Sequence, residues 1–207
     1  MADSAPLVIA SIGETITERA GVTNLSLDGS ILLSAMTGFA VALVTDSVIL
    51  GFLAAMLVGA LVALIVAVAS IELRQDQVAV GFVLTMLCAD LSSFLGNPFV
   101  RKPGPSVLHW PIPVLDQIPV LGPILFDQNP LVYISLLLIL TSWVWVFKTR
   151  PGLILQGIGE RPAAAFARGA NVRLLRYAYV LAGGALVGFA GAGYSLSVKL
   201  GWSYHLT

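Results

Sequence analysis

The stretch SILLSAMTGFAVALVTDSVILGFLAAMLVGALVALIVAVASI at residues 30–71 decides the fold of this chain. It contains a single charged residue, Asp46. An α-helix needs about 20 predominantly apolar residues to cross a bilayer. The stretch is therefore too long for one crossing, and it predicts two membrane-spanning helices joined by a tight turn at Thr45, Asp46 and Ser47.

Three further apolar segments follow along the chain, at residues 77–96, 131–147 and 177–198. Residues 6–13 are also apolar but too short to cross a bilayer, and they are typical of half of a first helix. The predicted fold class is all-α: a polytopic transmembrane helical bundle with about five full spans plus a partial first helix. Residues 1–207 are expected to form one membrane-embedded domain.

The composition of the chain is that of a protein whose solvent is lipid. Hydrophobic residues make up 57% of it and charged residues 11%, against about 25% charged residues in soluble domains. A net charge of zero argues against a nucleic-acid partner. The single cysteine, Cys88, provides neither a disulfide framework nor a cysteine-based metal site.

Sequence motifs for common enzymatic chemistry are missing from the chain. It contains no G-x-x-x-x-G-K-[ST], no H-E-x-x-H and no G-x-S-x-G. We therefore predict no ATP-binding P-loop, no catalytic residues, no metal site and no cofactor. The chain is not expected to be an enzyme.

Lysine and arginine residues predict the orientation of the spans. Alternating the spans places residues 14–29, 72–76 and 148–176 on one side, which holds eight of the eleven basic residues. Cytoplasmic loops are enriched in Lys and Arg, so we predict a cytoplasmic segment at residues 148–176. The extracytoplasmic segment at 97–130 holds eight of the eleven prolines, which excludes a regular helix throughout. We expect it to lie along the outer membrane surface; the alternative is a structureless linker.

Within the predicted cytoplasmic segment, RPAAAFARG at residues 161–169 predicts a short helix. Pro162 suits the first turn, the alanines after it propagate the helix, and Gly169 is a natural stop. Glu160 is favourable at the positive end of the helix dipole. Small side chains let another protein approach closely, so this helix is either a docking site or an ordinary loop helix that packs on its own chain.

Glu160, Ala163, Ala164 and Gly169 resemble the Glu-Ala-Ala…Gly signature of ABC importer permeases. The block ERAGVTNLSLDG looks most like the nucleoside and simple-sugar branch of the permease family for branched-chain amino acids, simple sugars and nucleosides. Three longer runs resemble the same family: GETITERAGVTNLSLDGSILLSAMTGFAVAL at 13–43, IPVLGPILFDQNPLVY at 118–133 and GERPAAAFARGANVRLLRYAYVLAGGALVGFAGAGYSL at 159–196.

This resemblance implies a membrane-spanning permease subunit of an ATP-driven importer for a small polar solute, a nucleoside or a simple sugar, in a bacterial-type cell (inner) membrane. The implied partners are an ABC ATPase subunit, a second permease subunit (the same or paralogous) and an extracytoplasmic substrate-binding protein. The residues expected to couple to the ATPase are Glu160, Pro162, Ala163, Ala164 and Gly169. Family members continue beyond the fifth span, so the chain is expected to be incomplete at its C-terminus. The alternative function is an ion-coupled secondary transporter or channel subunit without an ATPase.

Three polar residues are candidates for the substrate path. Asn24 and Asp28 lie in a stretch rich in residues that favour caps and turns, and the resemblance implies a broken helix beside the translocation path there. The alternative for Asp28 is that it caps a helix starting at Ser30. Asp90 is the only acid well inside a span, where an ionised side chain costs about 2.5–3.5 kcal/mol. We expect Asp90 to face protein or water, either as a wall of the path or in a hydrogen bond within the bundle, for example with a serine of a neighbouring turn.

The last span carries small residues at a spacing of four, Gly184, Gly188 and Ala192. Such a row lets helices approach closely in a bilayer without a strong hydrophobic driving force. We interpret the row either as plain packing or as a seam between helices that move.

Overall fold

The computed structural model describes residues 2–107, 128–199 and 201–203, and the regular elements in this part of the chain are helical. Two π-helical turns are present, at Val68–Glu72 and at Tyr194–Val198. The described residues contain no strand, only an isolated bridge between Val100 and Trp202. The α-helices are, in chain order, α1 (Ala5–Arg19), α2 (Leu27–Thr45), α3 (Val48–Ala67), α4 (Gln77–Gly96), α5 (Pro130–Lys148), α6 (Arg150–Glu160), α7 (Pro162–Ala167) and α8 (Val172–Gly193).

Helices α2, α3, α4, α5 and α8 are long and apolar enough to cross a membrane, which confirms the all-α polytopic fold class. The 15-residue α1 is the partial first helix, and it continues past the predicted apolar half to Arg19. The predicted turn between α2 and α3 is present, with Asp46 in the left-handed conformation at a φ of 52°. The five spans follow from apolar length, since a helix that crosses a bilayer must satisfy its backbone hydrogen-bonding groups internally.

The start of α2 differs from its prediction. α2 begins at Leu27, and Asp28 lies in its first turn, so the prediction that Asp28 caps a helix starting at Ser30 is wrong. The connection between α1 and α2 is therefore only residues 20–26. The reason is local hydrogen bonding: the Asn24 Oδ1 atom accepts hydrogen bonds from the backbone and hydroxyl of Ser26, which closes a turn just before the helix.

Two further differences lie between α5 and α8. α8 begins at Val172 rather than near Tyr177, because the Asn171 Oδ1 atom accepts a hydrogen bond from Leu174 N at 3.2 Å and caps the helix. α6 is a helix that the sequence patterns did not predict. Its start is stabilised by Thr149, whose hydroxyl accepts a hydrogen bond from a backbone N–H in the first turn.

α8 is the central helix of the bundle, because its glycines let the backbones of other helices come close. A Cβ atom on Gly183 would lie 2.5 Å from the backbone oxygen of Gly13 in α1. A Cβ atom on Gly188 would lie 2.2 Å from the backbone oxygen of Ala55 in α3. All three residues of the predicted small-residue row are buried. The row therefore provides close packing, with α1, α2 and α3 arranged around α8.

The outward faces of α4 and α5 are apolar and exposed. They carry Phe82, Met86 and Phe94 on α4, and Leu137 and Leu140 on α5. An apolar surface of this extent is stable against lipid or against a neighbouring membrane subunit, and it would drive association in water. Together with the five spans, it identifies the chain as a multi-pass membrane protein.

The proline-rich segment at 97–130 is described only in part. Residues 108–127 lie outside the described residues, so the course of the segment along the membrane surface stays a prediction. The described residues 100–107 contain no helix. They run against the end of the last span, where Val107 N donates a hydrogen bond to Leu196 O at 2.9 Å.

Candidate functional site

The predicted short helix at 161–169 is present as α7. Pro162 occupies its first turn, and Arg161 is its N-cap residue. Gly169 ends it in the left-handed conformation at a φ of 86°. The chain turns there through two hydrogen bonds, from Gly169 N to Phe166 O at 2.9 Å and from Ala170 N to Ala165 O at 3.1 Å. This pair of hydrogen bonds is the Schellman motif, which favours glycine at the left-handed position.

α7 projects from the bundle rather than packing into it. None of its six residues is buried. Ala163 and Ala164 are exposed, and Phe166 leaves 73% of its surface uncovered. A helix this short is not stable by itself, and an exposed aromatic side chain is a common anchor of protein interfaces. Of the two interpretations of this helix, the geometry favours docking over packing on its own chain.

Glu160 does not belong to α7. It is the last residue of α6, and only Arg161 separates the two helices. The segment from residue 148 to residue 176 carries one acidic residue, Glu160, and six basic residues. The surface around α7 is therefore positively charged, and the basic side chains exposed there include those of Arg161 and Arg168.

The connection at residues 20–26 holds Asn24 in a buried position, with 2% of its surface exposed. Its backbone N–H donates to the Oε1 atom of Glu14 at 2.8 Å. Its Oδ1 atom accepts from Ser26 N at 3.1 Å and from Ser26 Oγ at 2.6 Å. The carbonyl of the Asn24 side chain is thus occupied in shaping the start of α2. Asp28, one turn further on, is exposed.

Glu14 is a further acidic residue beside this connection, and the sequence patterns did not predict its burial. Burial raises the pKa of its carboxyl group from 4.5 to about 7, against the lowering effect of the hydrogen bond from Asn24. The nearby Glu18 raises the pKa further. Among the described residues, nothing hydrogen-bonds to the buried Oε2 atom of Glu14. Glu14, Glu18 and Asp28 line one shallow groove between α1 and α2.

Asp90 is exposed on α4. It lies about 200° around the helix from Cys88, which is buried against α2. Ser92, in the same stretch of helix, donates to Ala89 O at 2.7 Å. Within the part of the chain that the structure describes, no residue hydrogen-bonds to Asp90. The structure therefore brings Asn24 and Asp28 to the α1–α2 side and leaves Asp90 on the opposite face of α4.

Metal-binding chemistry has no support in the described residues. They contain no group of three or more His, Cys, Asp or Glu side chains that could hold a metal ion. Cys88 is a buried free thiol.

Comparison with known proteins gives one matching family and several named relatives. The family described as "Branched-chain amino acid transport system / permease component" matches residues 1–206. A nucleoside ABC transporter permease protein of Lactococcus lactis subsp. cremoris is 34% identical over 95% of this chain and 65% of its own length. A putative glucose ABC transporter permease protein of Haloferax volcanii is 33% identical over 95% of this chain and 61% of its own length. A guanosine ABC transporter permease protein of Bacillus subtilis is 34% identical over 97% of this chain and 67% of its own length.

The chain thus spans about two thirds of the length of these relatives. The family match covers nearly all of the chain, including the connection at 20–26 and α7. No solved structure matches the chain.

Proposed function

The chain belongs to the family of branched-chain amino acid transport system permease components, and from this premise we propose that it is the membrane-spanning permease subunit of an ATP-driven ABC importer. The proposed substrate is a small polar solute, a nucleoside or a simple sugar. The names of the relatives support this substrate class. ATP is hydrolysed in a separate ATPase subunit, a second permease subunit completes the pore, and an extracytoplasmic binding protein delivers the solute. The proposed location is a bacterial-type cell (inner) membrane.

The observation that carries this proposal is the exposure of α7. A helix that buries none of its residues contributes little to the stability of its own chain. Its exposed aromatic side chain and the basic residues around it form a surface of the kind that binds another protein. The positive-inside rule supports a cytoplasmic position, since the predicted topology puts eight of the eleven basic residues on the same side as α7.

Transport in this proposal follows from a population shift. ATP-bound and ATP-free states of the ATPase have to contact α7 differently, because a ligand moves an equilibrium only through its differential affinity for the two states. α7 then moves relative to the bundle, and the spans alternate between outward-open and inward-open arrangements. Glu160, Pro162, Ala163, Ala164 and Gly169 remain the residues proposed to couple the two subunits.

Replacing Ala164 with Glu tests the docking assignment. Ala164 is exposed, so the Ala164→Glu variant is expected to fold and to reach the membrane, while the bulky charge blocks close approach of the ATPase. We expect copurification of the ATPase and uptake of radiolabelled guanosine or glucose to fall together. Ala164→Ser is the matched control and should keep both. If Ala164→Glu retains both, the docking assignment is wrong; uptake that continues without any ATPase would identify an ion-coupled transporter or channel instead.

We propose that Asn24, Asp28 and Asp90 border the substrate path. For Asp90 the support is the free-energy cost of placing an ionised carboxylate against lipid inside a span. Within the part of the chain that the structure describes, the Asp90 residue is exposed. Water or another protein surface therefore has to face it. Asp90→Asn should lower the rate of solute uptake with ATPase binding unchanged, whereas Asp46→Asn, at an exposed turn, should not. Equal uptake in the two variants would remove Asp90 from the path.

A further inference from the structure

The end of α6 touches the end of α1 with almost no space between the two backbones. A Cβ atom on Gly159 would lie 2.3 Å from the backbone oxygen of Arg19. It would also lie 3.4 Å from Gly21 N, just beyond the end of α1. Real Cβ atoms do not approach an oxygen that closely, so only glycine permits this contact. We call this meeting point of Arg19, Gly21 and Gly159 the α1–α6 contact.

Gly21 gives this contact a defined shape. It adopts a φ of 82° and ends α1 in a Schellman motif, with Gly21 N bonded to Glu18 O at 2.8 Å and Val22 N bonded to Thr17 O at 3.2 Å. The chain leaves α1 in one direction as a result. Ala20 and Val22 on either side of Gly21 are fully buried, so the turn is held firmly in the bundle.

Arg176 of α8 completes the same contact. Its Nη2 atom donates a hydrogen bond to Ile158 O, next to Gly159, at 3.4 Å. The same nitrogen would lie 3.0 Å from a Cβ atom on Gly21. The side chain is partly buried. One guanidinium group therefore lies against both α6 and the turn after α1.

From this contact, the connection at residues 20–26 leads directly to the proposed substrate path. Thr23 N donates to the Oε1 atom of Gln77 in α4 at 2.8 Å. The Thr85 hydroxyl, also in α4, donates to Leu25 O at 3.1 Å. Asn24 is bonded to Glu14, as described above. The connection is thus joined to α4 at two points and to α1 at one, and it continues into α2.

On the other side, the contact is close to α7. Gly159 lies two residues before Arg161, the single residue between α6 and α7. Backbone in van der Waals contact is not compressible, because protein interiors are close-packed. A displacement of α7 that moves the end of α6 therefore also moves the turn at Gly21, and with it the 20–26 connection.

We propose that the α1–α6 contact is the joint through which movement of α7 reaches α2 and α4, and that Gly159 and Arg176 are positioning residues for transport. This inference rests on the proposed function. It predicts that disturbing the contact separates ATP hydrolysis from uptake while the ATPase still binds. A residue that served only folding would lower both together.

The central experiment compares Gly159→Ala with Gly157→Ala, each introduced at the chromosomal locus. The first places a methyl group against the backbone of Arg19, whereas a Cβ atom on Gly157 meets no atom within 4 Å. The complex is purified through a tagged ATPase and reconstituted with its binding protein, and uptake of radiolabelled guanosine or glucose per ATP hydrolysed is measured. Gly159→Ala should lower this ratio by about threefold or more, a size typical of mutations that alter coupling between sites. Gly157→Ala should leave the ratio and the amount of copurified ATPase unchanged.

Arg176→Lys is the second variant, because it adds no volume and keeps the charge while losing the guanidinium contacts. It should lower uptake per ATP in the same direction as Gly159→Ala. If Gly159→Ala fails to accumulate in the membrane, Arg176→Lys decides. If uptake per ATP hydrolysed is unchanged in the folded variants, the proposed role of the α1–α6 contact is wrong, while the proposed permease function stands. If the unsubstituted chain neither binds an ATPase nor supports uptake, the proposed function itself fails, and the joint with it.

Discussion

α7 and α8 are both rich in small residues and lie next to each other in the chain, yet they use these residues in opposite ways. In α8 the glycines are buried against the backbones of α1 and α3. In α7 the alanines are exposed and no residue is buried. In each helix, small side chains make close approach possible. For α8 the approaching surface belongs to the same chain, and for α7 we propose that it belongs to the ATPase.

This difference teaches that a pattern of small residues identifies a contact but not the partner. The partner follows from the surroundings. α8 is flanked by long apolar helices that must cover one another in the bilayer, whereas α7 follows a short helix in a segment with six basic residues and one acidic residue. A charged segment of this kind is not expected within the bundle.

The largest effect is expected from adding volume in α8. Gly188→Val inserts a branched side chain where even a Cβ atom would lie 2.2 Å from Ala55 O, so we expect a loss of roughly 1–3 kcal/mol or more in the free energy of unfolding. Thermal unfolding of the purified protein followed by tryptophan fluorescence measures it. Ala163→Val in α7 is the matched variant and should leave the unfolding temperature unchanged. Equal destabilisation by the two variants would mean that α7 is packed against the rest of the chain as α8 is, so that the two helices do not differ.

An intermediate effect is expected from removing the exposed aromatic side chain of α7. Phe166→Ala should leave the unfolding temperature unchanged, because 73% of the surface of this residue is exposed. It should weaken ATPase binding about tenfold or more, as truncation of an interface anchor does. Titration of the ATPase onto the reconstituted permease measures the affinity. Leu174→Ala removes a side chain of similar exposure, 64%, from α8, and binding lost equally there would argue against a specific anchor on α7.

The smallest effect tests how deeply the Glu14 carboxyl group is buried beside the 20–26 connection. In the folded chain the pKa of the Glu14 carboxyl group is about 7, whereas its ordinary value is 4.5. The folded state therefore binds more protons between these values, and its stability should fall as the pH rises from about 5 to about 7 and then level off. In Glu14→Gln this part of the pH dependence should be absent. A change in unfolding temperature of about 2–4 °C corresponds to roughly 1 kcal/mol in a chain of this size. Identical pH profiles would show that Glu14 is not desolvated.

The spans were predictable because apolar length alone determines them: α4 has the predicted bounds, Gln77–Gly96. α7 was predictable because Pro162 and Gly169 each have a strong local preference. α6 was missed, since its three glycines and its short length give it no clear periodic pattern. The start of α2 was missed because the turn before it depends on hydrogen bonds of the Asn24 side chain.

The special roles of Glu14 and Gly159 were not predictable from local patterns. The raised pKa of Glu14 depends on burial next to a connection that begins six residues later. Gly159 matters because of Arg19, which lies far away in the sequence. Such long-range contacts leave no trace in the spacing of residues along a single sequence.

Asp46 and Ser47 are the whole connection between α2 and α3. Two residues are too few to let one helix settle across the bilayer while the other waits outside it during biosynthesis. We therefore expect the pair to enter the membrane as one helical hairpin, and in the orientation predicted from the basic residues Asp46 is the charge that is carried across. Residues 48–71 contain no charge, and the strong partitioning of α3 into lipid offsets the cost of moving that carboxylate. A chain truncated between the two helices would for this reason insert less efficiently than one that ends after α3.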